Sequence, residues 1–194
     1  MLPVIRVGSL IFLECDLKKP LPEKTQVHGV IAREAVVGDA ALFETPQVFL
    51  ERLNAGQRCF LCIDSATGRL ANYRWLATSP QYIPEIERYV ILEPGQAYSY
   101  DLKTLPEFRR RGIDSYTRNR AFQSLRDQGF SKIYAYMRAD NFPMLESSRP
   151  LLQPIGRVWY VHPKRSKCLV FGERQNQLPE LVTSICTVTP AQPA

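Results

Sequence analysis

The stretch from residue 97 to residue 137 limits the possible folds more than any other part of this 194-residue chain. Residues 97–105 alternate in polarity and are rich in tyrosine, as a half-buried strand is. Pro106 ends the strand, and Arg109, Arg110, Arg111 and Gly112 make a tight basic turn. From 112 to 127 apolar side chains return mainly at steps of three to five (Ile113, Tyr116, Ala121, Phe122, Leu125), which predicts a helix that Gly129 closes as a C-cap. Residues 132–137 alternate again as a buried strand. A strand, a crossover helix and a second strand in this order predict a parallel pair near the middle of a sheet.

The flanking segments read as antiparallel. A strand is expected over 10–17, a turn over 18–23 and a second strand over 27–35. Short helices follow over 39–43 and 46–53, the latter with Thr45 as N-cap and Pro46 at its start, and Gly56 closes it. Residues 58–64 and 70–78 flank Ser65-Ala66-Thr67-Gly68 and predict a hairpin. Residues 79–96 hold Pro80, Pro84, Pro94 and Gly95 and read as a long connection with a short strand at 89–92. A helix is expected over 141–152, opening on Asn141-Phe142-Pro143, and a closing hairpin over 158–162 and 168–171 around a turn at 163–167. After Glu173 the chain is polar and rich in Pro, Thr and Gln. The expected organisation is one domain over 1–172 and a flexible tail over 173–194. Its class is α+β, with a mixed, mostly antiparallel central sheet flanked by helices.

Composition narrows the function classes. With 45% apolar and 23% charged residues the chain can bury a real core, and no apolar run is long enough to span a bilayer. Residues 1–13 are apolar with one arginine, lack a small-residue cleavage site and run into Glu14-Cys15-Asp16, so they read as a strand, not a signal peptide. A net charge of +6 and a pI near 9.2 favour anionic partners: a phosphorylated cofactor, nucleic acid or anionic lipid. Five cysteines at irregular spacing predict reduced thiols in a cytoplasmic compartment. Cys59 and Cys62 lie three apart in a strand-like run and so point to opposite faces. With His28 and His162 as the only histidines, no metal site is expected.

The backbone N–H groups at the start of the 112–127 helix have no intrahelical partner, and the helix dipole adds positive potential there. With three arginines and a glycine alongside, the turn is a candidate pyrophosphate cradle. A solvated arginine cluster is the plainer reading of the charge run alone.

From Thr104 to Asp114 the sequence Thr-Leu-Pro-Glu-Phe-Arg-Arg-Arg-Gly-Ile-Asp resembles the cofactor motif of the GNAT superfamily of acyl-coenzyme A-dependent N-acyltransferases, R/Q-x-x-G-x-G/A after a strand. The surroundings are similar too: Gln128-Gly129-Phe130 at a helix end, the strand Lys132-Ile133-Tyr134, then Ala139-Asp140-Asn141-Phe142-Pro143. The resemblance covers roughly residues 98–160.

It implies a transferase that takes an acyl group, acetyl in the simplest case, from acyl-CoA. It implies that backbone amides of Arg110, Arg111, Gly112 and Asp114 hold the pyrophosphate, with Arg109 and Ser115 alongside. The pantetheine arm would pair with the strand around Leu102 and Thr104, and Asn141 would contact that arm. Asp101 matches the position of a general base that takes a proton from the acceptor amine. Two positions depart from the pattern. Asp114 stands where Gly or Ala is usual and must turn away or pair with Arg110, Arg111 or Arg118. A tyrosine that protonates the leaving thiolate is missing, and Ser148, a water or another residue would take its place unless donation is dispensable. Asp101 could equally be a strand-end residue paired with an arginine. Tyr73, Trp75, Tyr98 and Tyr100 are candidates for the acceptor site or simply core. Acceptor specificity is expected in 79–96 and the facing strand 70–78.

The leading expectation is therefore direct transfer to a small amine, without a covalent acyl-enzyme. Acylation of a protein lysine or N-terminus and a catalytically silent CoA-binding domain are the alternatives. Arg109–Arg111, Arg118, Arg120, Lys164, Arg165 and Lys167 would suit nucleic acid, but no nucleic-acid motif is present and neither nucleic acid nor membrane is an expected partner.

Overall fold

Eight strands form a single sheet around the parallel pair. The computed structural model describes residues 5–22, 26–162, 168–172 and 179–183. In chain order the elements are β1 (Arg6–Asp16), β2 (Val30–Glu34), a 3-10 turn at Val37–Leu42, α1 (Pro46–Asn54), β3 (Arg58–Asp64) and β4 (Leu70–Ala77). Then come β5 (Gln81–Ile83), β6 (Arg88–Val90), β7 (Gln96–Thr104), a 3-10 turn at Pro106–Phe108, α2 (Ile113–Asp127) and β8 (Lys132–Arg138). α3 (Phe142–Ser148), β9 (Gln153–His162), β10 (Leu169–Gly172) and β11 (Leu181–Thr183) follow. The large sheet has the order β10-β9-β1-β8-β7-β4-β3-β2. Its only parallel neighbours among the described residues are β7 and β8, joined by α2, as the sequence predicts. The fold class is α+β with a mostly antiparallel sheet flanked by helices.

Two layers cover the sheet. On one face α2 places Ala121, Phe122 and Leu125 against Leu13, Ala97, Ile133 and Ala135. On the other, α1 and the preceding 3-10 turn pack Phe49 and Phe43 on Trp75 and Tyr73, and the 79–96 segment packs on Leu10, Phe12, Tyr98 and Tyr134. Cys59 and Cys62 fall in different core clusters, as residues three apart in a strand must.

Four expectations change. The strand expected over 10–17 begins earlier, at Arg6, and lies inside the sheet between β8 and β9; this two-sided pairing explains why Leu10 and Phe12 have no solvent exposure. The helix expected over 141–152 ends at Ser148, because Pro150 has no N–H to continue it, and β9 begins already at Gln153. The 79–96 segment is not an open connection. It makes the β5–β6 hairpin and buries Ile83, Ile86 and Val90 completely. Within the expected tail, Leu181–Thr183 pairs antiparallel with β6, while 173–178 and 184–194 lie outside the described residues. So do the turn at 163–167 with Lys164, Arg165 and Lys167, residues 1–4 and 23–25, and Cys186.

Full burial makes the β5–β6 segment part of the core. Ile86→Ala is expected to cost about 2–5 kcal/mol in urea unfolding. A cost below about 1 kcal/mol would show that the segment is carried by the fold without supporting it.

Candidate functional site

β7 and β8 run together for only three residue pairs, Gln96–Tyr98 against Lys132–Tyr134. Beyond Tyr98, β7 stays paired with β4 as far as Thr104, and β8 with β1 as far as Arg138. The parallel pair therefore opens into a V whose inner edge on β7 has no strand partner among the described residues. A bulge in the β4–β7 ladder makes Asp101 the extra residue: Arg74 lies opposite Leu102 and Trp75 opposite Tyr100. Asp101 takes a left-handed conformation there, with φ 40.

A cleft of about 590 Å³ begins at this edge. It is lined by Leu102 and Thr104 at the end of β7, Arg109, Arg110 and Gly112 in the turn, Asp114 and Ser115 at the start of α2, and Asn141 at the start of α3. These are eight of the nine residues that the resemblance assigned to cofactor binding. The ninth, Arg111, lies 5.5 Å over the ring of Phe108 and does not line the cleft.

The turn is anchored from below by Phe108, only 4% exposed, among Val30, Ala71 and Ile113. Two residues adopt left-handed backbone, Arg110 at φ 61 and Gly112 at φ 72. A Cβ on Gly112 would meet no protein atom within 4 Å, so the space beside it is open. Gly112 is also the N-cap of α2, and no side chain caps the first turn. The amides of that turn have no side-chain partner among the described residues. Arg109 reaches back to donate from Nε to the Thr104 carbonyl at 3.2 Å. Asn141 is the N-cap of α3 and makes no capping bond with its own side chain.

The Asp114 carboxylate is paired with two buried guanidiniums. Its Oδ1 accepts from Nη2 of Arg74 at 2.9 Å, and Oδ2 is 3.6 Å from Nη1 of Arg118. Arg118 was an expected partner; Arg74, from the strand beneath, was not. Burial alone would raise the Asp114 carboxyl, but the two guanidiniums outweigh it and hold the pKa below the ordinary carboxylate value. Arg118 is lowered to about 10, chiefly by burial and then by Arg74.

The structure does not bring Ser148 into the cleft. α3 ends there with the side chain turned inward, 1% exposed, and its hydroxyl accepts from Nη1 of Arg118 at 2.8 Å. The neighbouring Ser147 lines the cleft instead.

Asp101 points to the opposite face of the sheet from α2. It is ion-paired with Arg52 of α1, and Tyr73 donates to its Oδ1 at 3.4 Å. The Arg52 guanidinium lies 5.1 Å over Trp75 and 5.5 Å over Tyr100. Burial, followed by the Asp101 charge, pushes the Tyr73 phenol up to about 12; Tyr100 rises to about 12, also chiefly through burial. Both are therefore neutral donors at neutral pH. Arg52 was not singled out in the sequence; its one available signal was an arginine in the last turn of an otherwise uncharged helix face. Tyr98 is buried in the core and stacks on Tyr100 with ring centres 5.7 Å apart.

Among the described residues no group of three or more His, Cys, Asp and Glu is placed to hold a metal ion, and no helix is long and apolar enough to cross a membrane.

In sequence the chain matches no family profile and no curated protein. Its structure is similar to a GCN5-related N-acetyltransferase from Sphaerobacter thermophilus, with TM-score 0.59 and 15% identity over 84% of this chain and 54% of that one. It is also similar to a tandem GNAT protein from the clavulanic acid biosynthesis pathway (TM-score 0.55, 14% identity, 83% and 55% covered). A third similar structure is the GCN5-related N-acetyltransferase from Kribbella flavida (TM-score 0.52, 14% identity, 84% and 60% covered). The chain thus spans little more than half the length of these proteins. The fold is that of the GCN5-related N-acetyltransferases.

Proposed function

We propose that the chain transfers an acyl group, acetyl in the simplest case, from acyl-coenzyme A to the amine of a small-molecule acceptor. The observation that carries this reading is the open V between β7 and β8, with an anion-binding turn on one face of the sheet and a carboxylate among aromatic rings on the other. The fold is one that acyl-CoA-dependent acetyltransferases use.

The residues of the turn fit a diphosphate. The first-turn amides of α2 are uncapped, Arg109 and Arg110 line the cleft, and Gly112 leaves its approach open. Leu102 and Thr104, on the unpartnered edge of β7, fit an extended arm by strand addition, with Asn141 facing them across the cleft. On the far face Asp101, the Tyr73 hydroxyl and the rings of Trp75 and Tyr100 surround a cation, which at present is the Arg52 guanidinium. An ammonium suits the same surroundings.

In the transfer the amine nitrogen attacks the thioester carbonyl carbon, the C–N bond forms and the C–S bond breaks. Asp101 takes the proton that the nitrogen loses. A backbone N–H near the end of β7 polarises the carbonyl. The sulfur leaves as thiolate, which is an acceptable leaving group because thiols titrate near 8.5, so no dedicated acid is required. That agrees with Ser148 lying outside the cleft.

Incubating the protein with acetyl-CoA and a panel of primary amines, and following thiol release, tests the reading. Turnover with at least one small amine, together with a rise in melting temperature on adding CoA, is expected. CoA binding without turnover of any amine, or of a lysine peptide, would make the chain a silent binding domain. No CoA binding at all would sink the proposal.

A further inference from the structure

The first turn of α2 carries a carboxylate where a diphosphate would approach. We propose that Arg74 is a positioning residue for that diphosphate: with Arg118 it holds the Asp114 carboxylate beneath the turn, and the three groups together leave a net positive charge behind the cleft. This rests on the acyl-coenzyme A reading given above.

Arg74 sits at the middle of β4, an otherwise nearly uncharged and buried strand, and is only 1% exposed. Nη1 donates to Ser99 Oγ at 2.8 Å and Nη2 to Asp114 Oδ1 at 2.9 Å, so both ends of the guanidinium are fixed in position. Arg118, one helical turn beyond Asp114 and also 1% exposed, donates to Ser148 Oγ, to the Ser147 carbonyl at 2.6 Å and to Ser115 Oγ at 3.2 Å. Ser115 and Ser147 both line the cleft, so this guanidinium is separated from it by one layer of side chains.

Two guanidiniums against one carboxylate leave one positive charge in excess. Nε of Arg74, Nε of Arg118 and Oδ2 of Asp114 also have no hydrogen-bond partner among the described residues. Buried charge is costly, and breaking even costs several well-made hydrogen bonds. An excess buried cation beside a cleft is stabilised when an anion arrives there. The arrangement also answers what Asp114 is doing at the mouth of an anion site. Drawn downward, its charge is spent on Arg74 and Arg118, while its backbone N–H stays with the open first turn.

Without Arg74 the carboxylate loses its shorter partner, and the group falls from one positive charge in excess to none, Asp114 being left against Arg118 alone. At separations of several ångströms and an intermediate dielectric this lost attraction amounts to roughly a tenfold to hundredfold loss of affinity. A ligand without phosphates would not feel it.

The test compares CoA with pantetheine, which lacks the diphosphate, by calorimetric titration of the wild type, Arg74→Met and Arg74→Met/Asp114→Ala, each checked for folding by urea unfolding. Arg74→Met is expected to weaken CoA roughly tenfold or more and to leave pantetheine unchanged. The double variant, which replaces the ion pair by apolar groups, is expected to fold and to recover CoA binding to within about threefold of wild type. Equal loss of both ligands in Arg74→Met, or no recovery of CoA in the double variant, would overturn the role of Arg74. Should Arg74→Met not fold, the double variant decides alone: retained pantetheine binding with lost CoA binding overturns the proposal. A wild type that binds neither ligand would instead overturn the acyl-donor reading on which it rests.

Discussion

Gly112→Asp is expected to lower the affinity for coenzyme A by about a hundredfold or more while the protein stays folded. Gly112 has φ 72, and nothing in the protein stands within 4 Å of where its Cβ would be. Aspartate is among the residues that accept left-handed backbone most readily, so the cost to folding is small, about 1 kcal/mol. The cost to binding is not. The new carboxylate would stand in the open space beside the uncapped amides of α2, which the diphosphate needs, and it would repel it. A hundredfold loss corresponds to about 2.8 kcal/mol, within reach of one charge at close range. Gly112→Asn separates bulk from charge, since it has the same shape and the same tolerance of this backbone. Titration with CoA should order the affinities as wild type, then Asn, then Asp. Unchanged affinity in a folded Gly112→Asp protein would remove the turn from the cofactor site.

The turn could be read in the sequence because its chemistry is local. Pro106, the arginines and Gly112 determine a tight bend between a strand and a helix, and every property that matters there, uncapped amides, dipole and open backbone, follows within about ten residues. The parallel pair was legible for the same reason: two alternating runs and one helical run stand next to each other. What escaped was long-range. Nothing in the alternation of β1 says that it inserts between β8 and β9, since either a buried edge or an interior strand gives apolar residues on one face. The 79–96 segment was misleading because its prolines and glycine mark turns correctly but do not reveal that Ile83, Ile86 and Val90 pack into the core.

The buried ion group shows the same division. Asp114 and Arg118 are one helical turn apart, and Arg118 lies near the stripe formed by Ala121, Phe122 and Leu125, so their pairing is visible in the chain. Arg74 gave a weaker signal, one charge in the middle of the apolar run of β4, two residues from Asn72 on the same face. Its partner is 40 residues away and only the sheet brings them together. Ser148 went the other way. It had the right position along the chain for a donor facing the cleft, but α3 ends with that residue rotated toward Arg118, a consequence of where the short helix stops.

Asp101→Asn is expected to reduce the rate of acyl transfer by about 10²- to 10⁴-fold near pH 6–7, the usual worth of a positioned general base, and by much less near pH 9. The sign follows from the acceptor. At low pH the amine is an ammonium and must lose a proton before its lone pair can attack; at high pH it arrives neutral, and the one proton it loses after attack can pass to the departing thiolate or to solvent. CoA affinity should stay within about threefold of wild type, because Asp101 lies on the face away from α2 and does not line the cleft. Loss of its pairing with Arg52 should cost at most about 1 kcal/mol of stability, since both side chains are partly exposed. A base at this position implies direct transfer, and the cysteines support that. Burial pushes the thiols of Cys15 and Cys59 up to about 12 and that of Cys62 up to about 11, and it raises Cys168 as well. At neutral pH all four are protonated, and a thiol is a far weaker nucleophile than a thiolate. Acetyl-CoA mixed with enzyme in the absence of acceptor should therefore release no stoichiometric burst of thiol, and mass spectrometry should find the chain unmodified. An acetylated cysteine that forms and decays at the rate of turnover would replace direct attack by a two-step route. Full activity of Asp101→Asn across the pH range would leave Asp101 as no more than the partner of Arg52.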